Sequence, residues 1–132
     1  MKTFRNPADV HVPQGNYTHQ VEVRGPERVV VLSGQVGARP DGSIPDDPLE
    51  QLDQLLENIG RNLAAAGMEF GDVFKITSFL VGDFDLAGFR ARLLHRFGEH
   101  KPCSTLLRVA GLASPVYQVE IEVWASKEMG RG

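Results

Sequence analysis

The chain holds a single cysteine, and no run of apolar residues in it approaches the length of a bilayer. Each shortage excludes a class of protein. With Cys103 alone there is no intramolecular disulfide framework, and a thiolate-rich metal site would lack its ligands. The four histidines, His11, His19, His95 and His100, show no metal-ligand spacing, so neither a metal nor any other cofactor is expected. A membrane-spanning helix takes about 20 apolar residues, and the start of the chain, Met1 to Pro7, has no signal-like apolar stretch. A cytoplasmic protein is the expectation. Charge of one sign is also scarce: fourteen Lys plus Arg stand against seventeen Asp plus Glu, for a net charge of -3, with the basic residues scattered. Neither nucleic acid nor a membrane surface is an expected partner. At 132 residues the chain reads as one domain, 1–132, large enough for a core and apt to gain stability by oligomerising.

Turn signals divide what is present. Tyr17 to Val23 alternates as a strand, Arg24-Gly25-Pro26-Glu27 reads as a tight turn, and Arg28 to Leu32 is a continuous apolar strand, so the two are predicted to form a hairpin. After a loop over Gly37 to Pro45, Asp47 offers a helix cap, Pro48 suits the first helical position, and Glu50 completes a capping-box-like pattern. Leu49, Leu52, Leu55, Leu56, Ile59 and Leu63 then recur at helical spacing up to Gly67. A strand over Val73 to Val81 follows. Leu86, Phe89, Leu93 and Phe97 mark a second amphipathic helix that Gly98 ends. Two strands, within Lys101 to Val109 and Tyr117 to Ala125, close the chain. The order implies an α+β fold of the split βαβ type, with a mixed sheet and two helices on one face.

The last strand alternates strictly. Tyr117, Val119, Ile121, Val123 and Ala125 share one side; Gln118, Glu120, Glu122 and Trp124 share the other. Glu120 and Glu122 lie about 6.6 Å apart along the strand, near enough to share a cleft. By the same rule Ser104, Leu106 and Arg108 share a face of the preceding strand. A polar cleft lined by both strands is the expected site. A sheet face mixing carboxylates with Trp124 suits a subunit interface, so a closed homo-oligomer is expected.

Gly15-Asn16-Tyr17, Ser33-Gly34-Gln35, the Leu-rich helix, Gly71-Asp72-Val73-Phe74-Lys75-Ile76-Thr77, Phe97 to Pro102, and Val119-Glu120-Ile121-Glu122 together resemble the Rid family, also called YjgF/L-PSP, in order and spacing. The match runs from about Gly15 to Ala125. The resemblance implies a chorismate-mutase-like subunit, a homotrimer with ligand clefts between subunits, and, in the best-known branch, hydrolysis of 2-imino or enamine acids to 2-keto acids and ammonia. Members of that branch read Pro-Ala-Arg-Ser at the strand start, where the arginine grips the substrate carboxylate. Here the sequence is Pro102-Cys103-Ser104-Thr105, and a hydroxyl supplies neither the charge nor the planar fork of a guanidinium. Arg108 is on the same strand face but about 13 Å along it. Arg90, read as lying on the polar flank of the second helix, stands where the family commonly has asparagine, and relocation of the anion grip to it is weighed against coincidence.

The candidate residues each have two readings. Glu120 is a base for an attacking water or an ordinary interface carboxylate; Glu122 is an ion-pair or solvated residue. Tyr17 lines the cleft or donates a hydrogen bond there, and Ser104 and Thr105 bind ligand or simply pack. Cys103, facing away from Ser104, is expected to pack as a small apolar group, and Arg108 to pair with a carboxylate on its sheet face. Some relatives carry a cysteine at what is here Leu106. Gly34 and Gly111 serve backbone geometry, and Gly34 would also let a ligand approach. Three functions are in play: a Rid-type deaminase taking a small imine, enamine or carboxylic acid; a non-catalytic binding or protective module; and, disfavoured by the acidic balance, an endoribonuclease.

Overall fold

The computed structural model describes Met1 to Met129. The strands are β1 (Lys2–Arg5), β2 (Gln20–Val23), β3 (Glu27–Gln35), β4 (Val73–Val81), β5 (Cys103–Val109) and β6 (Val119–Glu128); the helices are α1 (Pro48–Ala65) and α2 (Leu86–Phe97). A four-stranded sheet runs β3-β6-β4-β5, with β4 and β5 parallel and β6 antiparallel to both its neighbours. The crossovers through α1 and α2 bring both helices to one face, the mixed α+β arrangement expected from the element order.

Helix α1 forms where the sequence signals it. Asp47 Oδ2 accepts from Glu50 N at 3.0 Å, Pro48 opens the helix, and beyond it Gly67 adopts φ 72°, a conformation that favours glycine. Leu52, Leu55, Leu56, Ile59 and Leu63 are at most 1% exposed, and each contributes about 1.5–3 kcal/mol by leaving water. They meet Val119, Ile121, Val123 and Ala125 of β6 and Val73, Ile76 and Leu80 of β4. One polar side chain joins this layer. Gln51, 2% exposed, donates to the carbonyls of Pro45 and Val116 and accepts from Gln118 N, so it ties two loops to the helix with its amide fully used. Helix α2, capped by Asp85, packs beside α1 through Phe89 and the ion pairs Arg92–Asp53 and Arg96–Glu57.

The expected hairpin does not form. Strand β2 begins at Gln20 rather than Tyr17 and pairs antiparallel with β1, an element that the sequence pattern gave no sign of, while β3 pairs with β6 over a longer span than Arg28 to Leu32. The cause lies at the link: Gly25 turns with φ 78° and Pro26, which has no N–H to give, accepts from Met129 N, so the chain is handed to β6. The last strand is also displaced, starting at Val119 with Tyr117 and Gln118 in the turn before it.

Register defines the face turned away from the helices. Directly paired residues share a side, which gives the rows Val31–Trp124–Lys75–Cys103, Glu122–Thr77–Thr105 and Glu120–Phe79–Leu107. Val31, Trp124 and Leu107 are 53%, 43% and 41% exposed. In the single chain this is an open, apolar and acidic sheet face.

Candidate functional site

On the helix side, a cavity of about 450 Å³ lies between α2, the start of β5 and the segment Gln14 to Tyr17. Its α2 wall is Phe89, Arg90, Leu93, Leu94 and Phe97, which recur at the spacing of one helical stripe. Ser104 and Leu106 enter from β5 and Ile76 from β4. The register explains this grouping, since Ile76 pairs with Ser104 and Ser78 with Leu106 across the parallel ladder, putting these side chains on the helix-facing side.

Tyr17 is held at the mouth by its neighbours. Thr18, buried, donates through its hydroxyl to Lys101 O at 2.5 Å and through its backbone to Pro102 O at 3.3 Å, fastening the segment to the chain just before β5. The Tyr17 oxygen accepts from Gln14 N at 3.2 Å, which leaves its own proton free to donate. His100, also in the wall, donates from Nε2 to the Val73 carbonyl and stacks on Phe97, with ring centroids 6.3 Å apart. Arg90 makes no hydrogen bond or ion pair among the described residues, whereas Arg92 and Arg96 on the same helix are both paired with carboxylates of α1. Among the described residues the cavity wall contains no carboxylate. A free guanidinium, a phenol and a serine hydroxyl in a hollow whose lining is about half polar and half apolar, with the apolar part gathered on α2, can accept one anionic group with an apolar body.

The structure thus brings together Tyr17, Arg90 and Ser104 and separates them from Glu120 and Thr105. Ser104 and Glu120 do not line one cleft within a chain, because the register turns Ser104 toward the helices and Glu120 toward the open face. On that face the Glu120 side chain lies against Gly34, and its carboxylate has no hydrogen-bond or ion-pair partner among the described residues. Glu122 sits beside Thr77, likewise unpaired. Lys75 Nζ donates to Thr105 Oγ1 at 2.8 Å, so Thr105 belongs to this face too.

Two further residues differ from expectation. Arg108 is structural, but its partners are backbone carbonyls and not a carboxylate: it donates to Gly82 O at 2.8 Å and Phe84 O at 3.0 Å, closing the turn after β4. Cys103 faces away from Ser104 as expected, yet is only half-buried, with Sγ 3.6 Å from His19 O. Sequence reasoning missed His100, Gln14 and the apolar α2 wall as cavity residues. Arg90 is not on the polar flank expected of it: its spacing puts it within the apolar stripe of Phe89, Leu93, Leu94 and Phe97, a signal present in the sequence.

Among the described residues no helix is long and apolar enough to cross a membrane. Comparison with known proteins agrees with the fold. The family model described as Endoribonuclease L-PSP matches residues 9–127. A mouse 2-iminobutanoate/2-iminopropanoate deaminase is 32% identical over 127 residues, 95% of this chain and 88% of its own length. The Escherichia coli K12 protein of the same name is 34% identical over 101 residues, 74% of this chain and 78% of its own. Among solved structures, the conserved Rid-family protein YyfB of Yersinia pestis superposes with a TM-score of 0.82 at 27% identity, covering 94% of this chain and 97% of that one. Escherichia coli TdcF with bound serine gives 0.70 at 33% identity, covering 76% and 81%. Sequence, fold and relatives converge: the chain belongs to the Rid (YjgF/L-PSP) family.

Proposed function

We propose that the protein is a reactive-intermediate deaminase that hydrolyses a 2-imino or enamine acid to the 2-keto acid and ammonia, with a site completed between subunits of a homotrimer. The observation that carries the reading is the unpaired Arg90 guanidinium in a cavity shared with Tyr17 and Ser104. It supplies the charge and the planar fork that Ser104 cannot, and so takes the substrate carboxylate. Tyr17 donates to the bound anion or to the imine nitrogen, and the Ser104 hydroxyl hydrogen-bonds beside it. The names of the relatives support the reaction class.

Glu120 is the base in this reading. It sits on the open face of its own chain, so Glu120 and Thr105 of a neighbouring subunit meet the cavity only when that face is covered by a second copy. A water held by Glu120 adds through oxygen to the imine carbon; the carboxylate takes one proton from the water and passes it to the nitrogen, to which the C=N π pair has moved, giving the carbinolamine with Glu120 ionised again. In the collapse Glu120 takes the hydroxyl proton and delivers it to the amino nitrogen as the C–N bond breaks, so that ammonia leaves and the keto group remains. Proximity of water, base and anchored imine supplies the rate gain.

The test is an assay in which an amino-acid oxidase generates the imine and its decay is followed against the uncatalysed rate. Acceleration that disappears in Glu120→Gln supports the reading; decay at the spontaneous rate overturns it. The separation of Glu120 from the cavity within one chain favours one alternative, a binding module that holds a small carboxylic acid without hydrolysing an imine. Binding without acceleration is its signature.

A further inference from the structure

We infer that the cavity selects 2-imino acids, or their enamine tautomers, carrying a bulky apolar side chain, such as a branched aliphatic or aromatic one, over the three-carbon acid. This rests on the hydrolase reading above and adds the side-chain class.

The α2 stripe carries the argument. Arg90 stands at one end of it, Leu93 and Leu94 follow one turn on, and Phe97 one turn further. At 1.5 Å per residue, Phe97 is about 10 Å along the axis from Arg90, so a carboxylate held by Arg90 directs its substituent past two turns of apolar wall. A methyl group would leave most of that wall wet. Ile76 and Leu106 face the same space from the sheet. Two of these residues are unusually exposed for their type: Leu94 at 49% and Leu106 at 38% present apolar surface at the cavity. Exposed apolar surface gathered around one hollow is the mark of a site that an apolar group covers. The volume, about 450 Å³, lies within the range that holds ligands much larger than a three-carbon acid.

Charge narrows the class further. Among the described residues Arg90 and His100 are the basic groups of the wall, and no carboxylate lines it to receive a cationic side chain. A second anionic group would find His100 as the one further basic side chain of the wall among the described residues, and its Nε2 is already given to Val73 O. Apolar side chains meet neither obstacle.

The experiment compares kcat/KM for imines generated from alanine, leucine and phenylalanine, together with calorimetric titration of the intact protein with pyruvate, 4-methyl-2-oxopentanoate and phenylpyruvate. Burial of each additional methylene is worth about fourfold in binding, so the two larger acids should bind, and their imines react, at least about tenfold better than the three-carbon ones. Leu94→Ser, checked for folding by circular dichroism, should compress that ratio. Equal values, or a preference for the alanine-derived imine, overturn the selection while leaving the hydrolase reading intact. The expected ranking of keto acids without hydrolysis of any imine overturns the hydrolase reading and leaves the selection standing. No ranking and no hydrolysis removes both.

Discussion

Glu120 and Gly34 are fitted to one another: the glutamate side chain occupies the space that a Cβ on Gly34 would need, so that a methyl group there would come within 2.9 Å of Glu120 Cγ and nearer still to its carboxylate. Gly34 lies where the β3–β6 register shifts between Leu32 and Gln35, and the bulge lets the carboxylate lie over the β3 backbone. The glycine is needed for close approach, and what approaches it is Glu120.

Replacing Gly34 tests that fit. Gly34→Ala should push the Glu120 side chain aside at little cost to folding, because the crowded atoms are those of a movable side chain on an open face. If Glu120 is the base, a displacement of about 1 Å should lower imine hydrolysis by roughly tenfold to a hundredfold while the melting temperature changes by a few degrees at most. Kinetics and thermal denaturation on the same preparation separate the two. Unchanged kcat would show that the position of Glu120 is immaterial to the chemistry.

The anion grip is tested by moving it. Arg90→Ala should raise KM for a 2-imino acid by about 10- to 150-fold, the equivalent of a charge-assisted hydrogen bond of about 1.5–3 kcal/mol. Ser104 opens on the same cavity, so Arg90→Ala combined with Ser104→Arg should recover part of the loss. Ser104→Arg alone puts two guanidiniums in one hollow and should bind the substrate less well than the native chain. Steady-state kinetics on the three variants decides; a double variant no better than Arg90→Ala would mean that Ser104 does not face the bound carboxylate.

Local features were legible in the sequence, and long-range ones were not. The cap at Asp47, the Leu period of α1 and the alternation of Val119 to Ala125 each arise from neighbours a few residues apart, and each is present in the fold. Alternation also stated correctly that Ser104 and Arg108 share a side and that Glu120 and Glu122 share a side. It could not relate the two strands. That relation depends on the pairing of Ile76 with Ser104 and Phe79 with Glu120 through β4, which lies between them, and no periodicity within β5 or β6 contains it. The hairpin expectation failed for the same reason, since a turn signal at Gly25-Pro26 says that the chain bends but not which strand it will join. Arg90 departs from the family pattern in the sequence itself; only packing puts it in one cavity with Tyr17.

The open sheet face bears on the proposed assembly. Val29 and Val31 are each 53% exposed beside Trp124, and an isolated chain would present this apolar surface to water. Light scattering at micromolar concentration should give the mass of three chains. Trp124→Glu adds a charge next to Glu122 on the face to be buried, and should shift the mass toward one chain with the helical circular dichroism retained. Imine hydrolysis should fall with it, because Glu120 then has no neighbouring cavity. A native monomer of full activity would remove both the trimer and the shared site.

Gln51 offers a prediction independent of function. Its amide satisfies three backbone groups, the carbonyls of Pro45 and Val116 and the N–H of Gln118, from a position 2% exposed. Gln51→Ala strands all three and opens a gap beneath both loops; the buried Pro45 carbonyl left unpaired costs about 1–3 kcal/mol, and the part-buried Val116 carbonyl and Gln118 N–H, which lie nearer water, cost less. The sum should be about 2–3 kcal/mol, which for a chain of this length lowers the melting temperature by roughly 6–10 °C. Gln51→Leu fills the space without restoring a bond, so it should recover little of the loss, and Gln51→Glu should fare no better, since a carboxylate there would face two carbonyl oxygens. Calorimetry on the three variants distinguishes bonding from packing: full recovery in Gln51→Leu would mean that the buried amide serves only as volume.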